Sequence, residues 1–79
     1  MESVEQVVLA LVAEKAERKD VSRTATWEEL ALDSLDVTEL MMEAEARFEL
    51  TIPDAEATNL KCPGDVIAYL ERALRQGAA

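Results

Sequence analysis

Between Asp33 and Phe48 the chain has little freedom of fold. Val37, Leu40, Met41, Ala44 and Phe48 recur at helical intervals, with Asp36, Glu39, Glu43 and Arg47 on the opposite side. An apolar stripe of this kind is stable only when other elements cover it. A chain of 79 residues buries roughly 60–65% of its unfolded surface, enough for one small core. The other elements are therefore read as partners of this stripe.

Ser3 and Gln6 have capping-box spacing, and Val4, Val7, Val8, Leu11 and Val12 follow at i, i+3, i+4, i+7 and i+8. The valines alone would suit a strand, but the spacing predicts a helix over 4–18. From Lys19 to Leu32 the period is lost, giving a long loop with Trp27 and Leu30 as anchors. Pro53 suits the first turn of a short helix over 54–60, and Cys62-Pro63-Gly64-Asp65 punctuates the chain before a last helix. That helix carries Val66, Ile67, Leu70, Ala73 and Leu74 and ends near Gly77, with Cys62 at its cap. The expected fold is all-α: a four-helix bundle of three main helices and one short one, with a long loop between helices one and two. Residues 1–79 read as a single domain.

Composition removes whole classes of chemistry. The chain has no histidine, so Ser-His-Asp triads, Cys-His pairs and histidine-containing zinc sites are excluded. The single cysteine excludes an internal disulfide and any multi-thiolate metal site, and it suits a reducing, cytoplasmic setting. No apolar run reaches the roughly 20 residues of a membrane span, and the first residues do not read as a signal peptide. Seventeen acids against eight bases give a net charge of −9, the wrong sign for nucleic acid or an anionic membrane. The segment from Glu28 to Glu56 holds ten acids and one base, Arg47, and sums to −9, while the remainder holds seven of each and sums to zero. That run reads either as a solvated helix surface or as a recognition face for basic partners. The stretch from Asp54 lacks the glycine and closing glutamate of a calcium loop.

The reactive candidates are few. Ser34 falls where the long loop meets the acidic helix, an address with unpaired N–H groups that suits either a simple cap or an attached anion. Leu32-Asp33-Ser34-Leu35-Asp36, followed by Glu39-Leu40, Phe48, Ile52-Pro53-Asp54 and Tyr69, resembles the acyl carrier proteins of fatty acid and polyketide synthesis. The resemblance runs from Trp27 to Leu74 without a gap, and helix one agrees in pattern. It implies an acidic helical bundle, a carrier module and not an enzyme, whose Ser34 bears a 4′-phosphopantetheine arm derived from coenzyme A. It further implies that Asp33 and Leu35 flank the attachment point and that Leu35 meets the modifying enzyme. Asp36, Glu39 and Glu45 match acids that face basic partners, and Met42 a partner-facing apolar residue, although Met42 also reads as core filler. The implied partners are a phosphopantetheinyl transferase using coenzyme A and Mg²⁺, and acyltransferases, ketosynthases or other synthase enzymes. The carrier itself is expected to be monomeric. Val8, Leu11, Leu40, Met41, Ala44 and Ile52 are expected to line the interior into which an acyl chain withdraws.

The sequence departs from the family pattern at several points. Ala31 stands where the family commonly has glycine, and Ala46 and Arg47 stand where acids are frequent. Arg47 is expected to pair with Glu43 at i−4. The Leu-Asp-Ser junction is similar to that of D-alanyl and other specialised carriers, which leaves the cargo open and keeps an aminoacyl, D-alanyl or peptidyl carrier as the alternative within the class. An unmodified acidic helical adaptor is the alternative from another class.

Overall fold

The computed structural model describes residues 3–76. Four helices follow in order: α1 Val4–Ala16, α2 Ser34–Phe48, α3 Asp54–Ala57 and α4 Pro63–Arg75. Among the described residues no strand occurs, and the all-α, four-helix expectation holds.

α1 begins as its sequence dictates. Ser3 Oγ accepts the Gln6 N–H at 3.0 Å and Gln6 Oε1 accepts the Ser3 N–H at 3.1 Å, a complete capping box. The helix stops at Ala16 and not at residue 18, because Glu17 turns into the left-handed region at φ 56°. The Glu17 and Arg18 N–H groups then bond back to Glu14 and Ala13, which closes the last turn. α3 likewise ends at Ala57, short of residue 60, and the chain leaves it through Thr58 and Asn59 in turns. α4 starts earlier than its apolar pattern, at Pro63, whose fixed φ and missing N–H suit the first helical position. Cys62 is its N-cap but makes no side-chain bond; Asp65 Oδ2 instead accepts the Lys61 N–H at 2.9 Å. α4 ends at Arg75, and Gly77, the expected stop, lies outside the described residues.

The core joins Val7, Val8, Leu11 and Val12 of α1 to Leu40, Met41 and Ala44 of α2 and to Val66, Ile67 and Leu70 of α4. Leu30, Leu32, Ile52 and Leu60 are buried with them from the connections. Val37 and Phe48 sit half-buried at the edges of the α2 stripe, and Leu74 falls off the α4 stripe, 42% exposed.

The long loop is held by backbone contacts that no periodicity announces. The Trp27 indole N–H donates to the Leu60 carbonyl at 2.7 Å, and the Trp27 backbone N–H to the Lys61 carbonyl at 3.2 Å. Gly64 donates its N–H to the Arg23 carbonyl at 2.7 Å, so close that a Cβ on Gly64 would stand 2.9 Å from that oxygen. These bonds draw residues 23–32 onto the start of α4 and deliver the chain to the head of α2.

Candidate attachment site at the head of α2

The first turn of α2 is fixed by two aspartates. Asp33, the extended N-cap, accepts the Asp36 N–H on Oδ1 at 2.9 Å, while Asp36 Oδ2 accepts the Asp33 N–H at 3.3 Å. This is a capping box built from carboxylates, favoured also by the positive end of the helix dipole. Ser34 follows as the first helical residue, with its side chain exposed. Among the described residues no acceptor meets the Ser34 or Leu35 N–H. Two free donors beside an exposed hydroxyl, on a helix N-terminus, fit a phosphodiester at Ser34 Oγ. The Thr38 hydroxyl donates to the Ser34 carbonyl at 2.8 Å and so steadies the same turn without occupying the serine's side chain.

Beside Ser34 opens a cleft of about 460 Å³ between α2, the loop and the α3 segment. Trp27, Leu32, Val37, Met41, Ile52 and Leu60 give it an apolar lining, and Asp33, Glu45, Asp54 and Lys61 stand around it. Of the six residues expected to line an interior for an acyl chain, all are buried, but only Met41 and Ile52 border this cleft. Val8, Leu11, Leu40 and Ala44 pack instead into the solid core shared by α1, α2 and α4. The Trp27, Leu32 and Leu60 walls come from loops, where helical spacing carries no signal.

The outward face of α2 is unusual for its apolar exposure. Leu35 is 64% exposed and Met42 62% exposed, and seven residues apart they lie on one helical face. Met42 is therefore not core filler. The three acids expected on this face each have a partner within the chain. Asp36 closes the capping box. Glu39 Oε1 accepts from Lys15 Nζ at 2.9 Å, joining α2 to α1. Glu45 Oε2 accepts the Ile52 N–H at 2.6 Å, joining the end of α2 to the connection that follows. Sequence reading finds none of the last two, since the partners are 24 and 7 residues away. The hydrogen bond to Glu39 raises the Lys15 pKa; partial loss of hydration opposes it, and the fields of Glu39, Glu43 and Asp36 each add a lesser upward push. Arg47 makes no ion pair with Glu43; among the described residues the ion pairs are Lys15–Glu39 and Arg23–Glu5. The described residues contain no group of three or more potential metal ligands and no helix long and apolar enough to cross a membrane.

Residues 6–70 match the family described as "Phosphopantetheine attachment site". The acyl carrier protein of Porphyromonas gingivalis is 42% identical over 78 residues, covering 95% of this chain and 100% of the relative. The acyl carrier protein of Rickettsia canadensis is 45% identical over 74 residues, covering 89% of this chain and 85% of the relative.

Proposed function

Because this chain belongs to the acyl carrier protein family, we propose that Ser34 is the point at which its 4′-phosphopantetheine is attached. When bound, that group supplies a thiol on a flexible arm, which holds an acyl chain as a thioester. The chain's own residues do the rest. Ser34 Oγ would offer the bonding oxygen, and the Ser34 and Leu35 N–H groups would be available to the phosphodiester charge. Asp33 and Asp36 hold the turn so that this oxygen stays outside the core. The observation that carries the reading is the exposed first-turn serine at the mouth of an apolar cleft, its own N–H and that of Leu35 unpartnered among the described residues.

The protein works as a carrier and not as a catalyst: the two aspartates beside Ser34 are engaged in the capping box, and a hydroxyl that no base activates is a poor nucleophile at neutral pH. A separate phosphopantetheinyl transferase loads it, and acyltransferases, ketosynthases or related synthase enzymes use it, in the cytoplasm. Leu35 and Met42 are the apolar contacts of the docking face, with Asp36, Glu39 and Glu45 supplying acids around them for basic partner surfaces. Incubation with coenzyme A and a promiscuous transferase tests the attachment. One phosphopantetheine should be gained, on the peptide holding Ser34, and Ser34→Ala should abolish the gain while leaving helicity nearly unchanged. Modification persisting in the alanine variant, or found on Ser3 or Ser22, refutes the assignment.

A further inference from the structure

The outer wall of the cleft, residues 53–59, is tied to the body of the protein mainly at its two ends. α3 buries none of its residues, and its N-cap Pro53 makes no side-chain bond. A four-residue helix is far below the length that stands alone, so its position must be enforced from outside. Of the residues between the ends, Ala57 packs against the core, half-buried. At the near end Glu45 Oε2 accepts the Ile52 N–H at 2.6 Å. At the far end Trp27 donates its indole N–H to the Leu60 carbonyl at 2.7 Å. Ile52 and Leu60, both buried, are the apolar pegs beside these bonds. Trp27, Glu45, Ile52 and Leu60 all line the cleft that opens at Ser34.

We propose that Glu45 and Trp27 are positioning residues, a pair of clamps that hold this wall and so set the length of acyl cargo the cleft shelters. The cargo half rests on Ser34 carrying the arm; the clamp half is a property of the chain itself. A charged acceptor on a backbone N–H is about twice as strong as a neutral one. The Ile52 N–H needs such a partner, because it belongs to a buried residue and neither a helix nor a strand supplies an acceptor. The cleft, about 460 Å³, is toward the small end of the range for ligand pockets. Displacing the wall enlarges the cleft and breaks a clamp, so releasing either clamp favours the longer of two chains.

The first experiment is amide hydrogen exchange on the full, unmodified chain. Glu45→Ala should speed exchange at Ile52 about tenfold, with α1 and α4 unchanged, and Glu45→Gln, which keeps an acceptor oxygen, should restore protection. If Glu45→Ala lowers protection throughout α1 and α4, Glu45→Asp, one methylene short of Ile52, replaces it. Trp27→Phe should free the amides of residues 58–61 in the same way. The second experiment loads Ser34 with hexanoyl- or dodecanoyl-phosphopantetheine and follows cleavage of each thioester by hydroxylamine. The protection of the longer chain relative to the shorter should rise at least threefold in Glu45→Ala and in Trp27→Phe, and return to the wild-type ratio in Glu45→Gln. General loosening exposes both chains alike, so an unchanged ratio overturns the cargo half, and unchanged exchange at Ile52 overturns the clamp. Failure of Ser34 to load refutes the attachment reading and with it the cargo half, while the exchange data still decide the clamps.

Discussion

Replacing Ala31 by glycine should stabilise this protein, against the usual expectation for an Ala→Gly change. Ala31 lies at φ 60°, in the left-handed region that its Cβ disfavours. The turn around it has the hydrogen bonds of a helix terminator: the Leu32 N–H reaches the Trp27 carbonyl at 2.9 Å, and the Ala31 N–H the Glu28 carbonyl at 3.0 Å. Glycine is the preferred residue at that place in such a motif. Holding a residue with a Cβ there costs roughly 1–2 kcal/mol. Glycine forfeits about 0.5–1 kcal/mol of this through the greater freedom of its unfolded chain. Ala31 is exposed, so the lost methyl removes little packing. The net gain is about 0.5–1 kcal/mol, and at 4–8 °C per kcal/mol for a domain of this size Tm rises by about 2–8 °C. Thermal and urea unfolding measure it, and the urea slope should not change. Ala10→Gly and Ala46→Gly, exposed positions inside α1 and α2, are the controls and should each cost about 1 kcal/mol. If Ala31→Gly lowers Tm along with the controls, backbone strain at residue 31 is not a cost to this fold.

Gly64→Ala should destabilise by about 1–3 kcal/mol although it lies in a helix, because the new Cβ meets the Arg23 carbonyl at 2.9 Å; an unchanged urea midpoint refutes that contact. Tm should rise with added salt and more with millimolar Mg²⁺, since screening relieves a net charge of −9 and, among the described residues, weakens two ion pairs, both partly exposed. A flat response to both would show that the acids are spaced well enough not to repel. The raised Lys15 pKa, caused first by its bond to Glu39, makes that pair's contribution complete below the ordinary lysine value of 10.5 and lost as the pH climbs through the raised value. The Tm difference between wild type and Lys15→Met should accordingly be constant at neutral pH and shrink only in strong alkali, and a difference that shrinks near pH 8 refutes the assignment.

The helices were legible because burial leaves a period in the sequence. The α2 stripe and the valines of α1 both pack as their spacing requires, and Ser3 and Gln6 form the expected cap. The ends were less legible. Nothing local says that Glu17 adopts φ 56°, since the left-handed turn there is set by how the chain must leave α1. The site divides in the same way. The address of Ser34 follows from short-range rules of helix initiation. The cleft beside it depends on Trp27 meeting Leu60, 33 residues away, and no spacing rule spans two loops. Trp27 and Leu30, large apolar residues in a loop without helical period, were the available signal, and they identified anchors without identifying what they anchor.

The same division changes what the acidic run means. Counting acids from Glu28 to Glu56 treats every carboxylate as free to meet a partner, yet Asp36, Glu39 and Glu45 each spend an oxygen on a bond within the chain. Their charges still contribute to the field, but their geometry is committed. Leu35 and Met42, largely exposed, are not so committed. Under the docking role proposed for this face, specificity of fit should rest on the apolar pair, while the acids should chiefly raise the rate of encounter. The distinction governs how the face should be probed. Reversing Glu39 to lysine also turns an attractive contact with Lys15 into a repulsive one, so it perturbs the α1–α2 junction together with recognition. Glu43 is exposed and takes part in neither ion pair among the described residues, which makes its reversal the cleaner measure of charge alone.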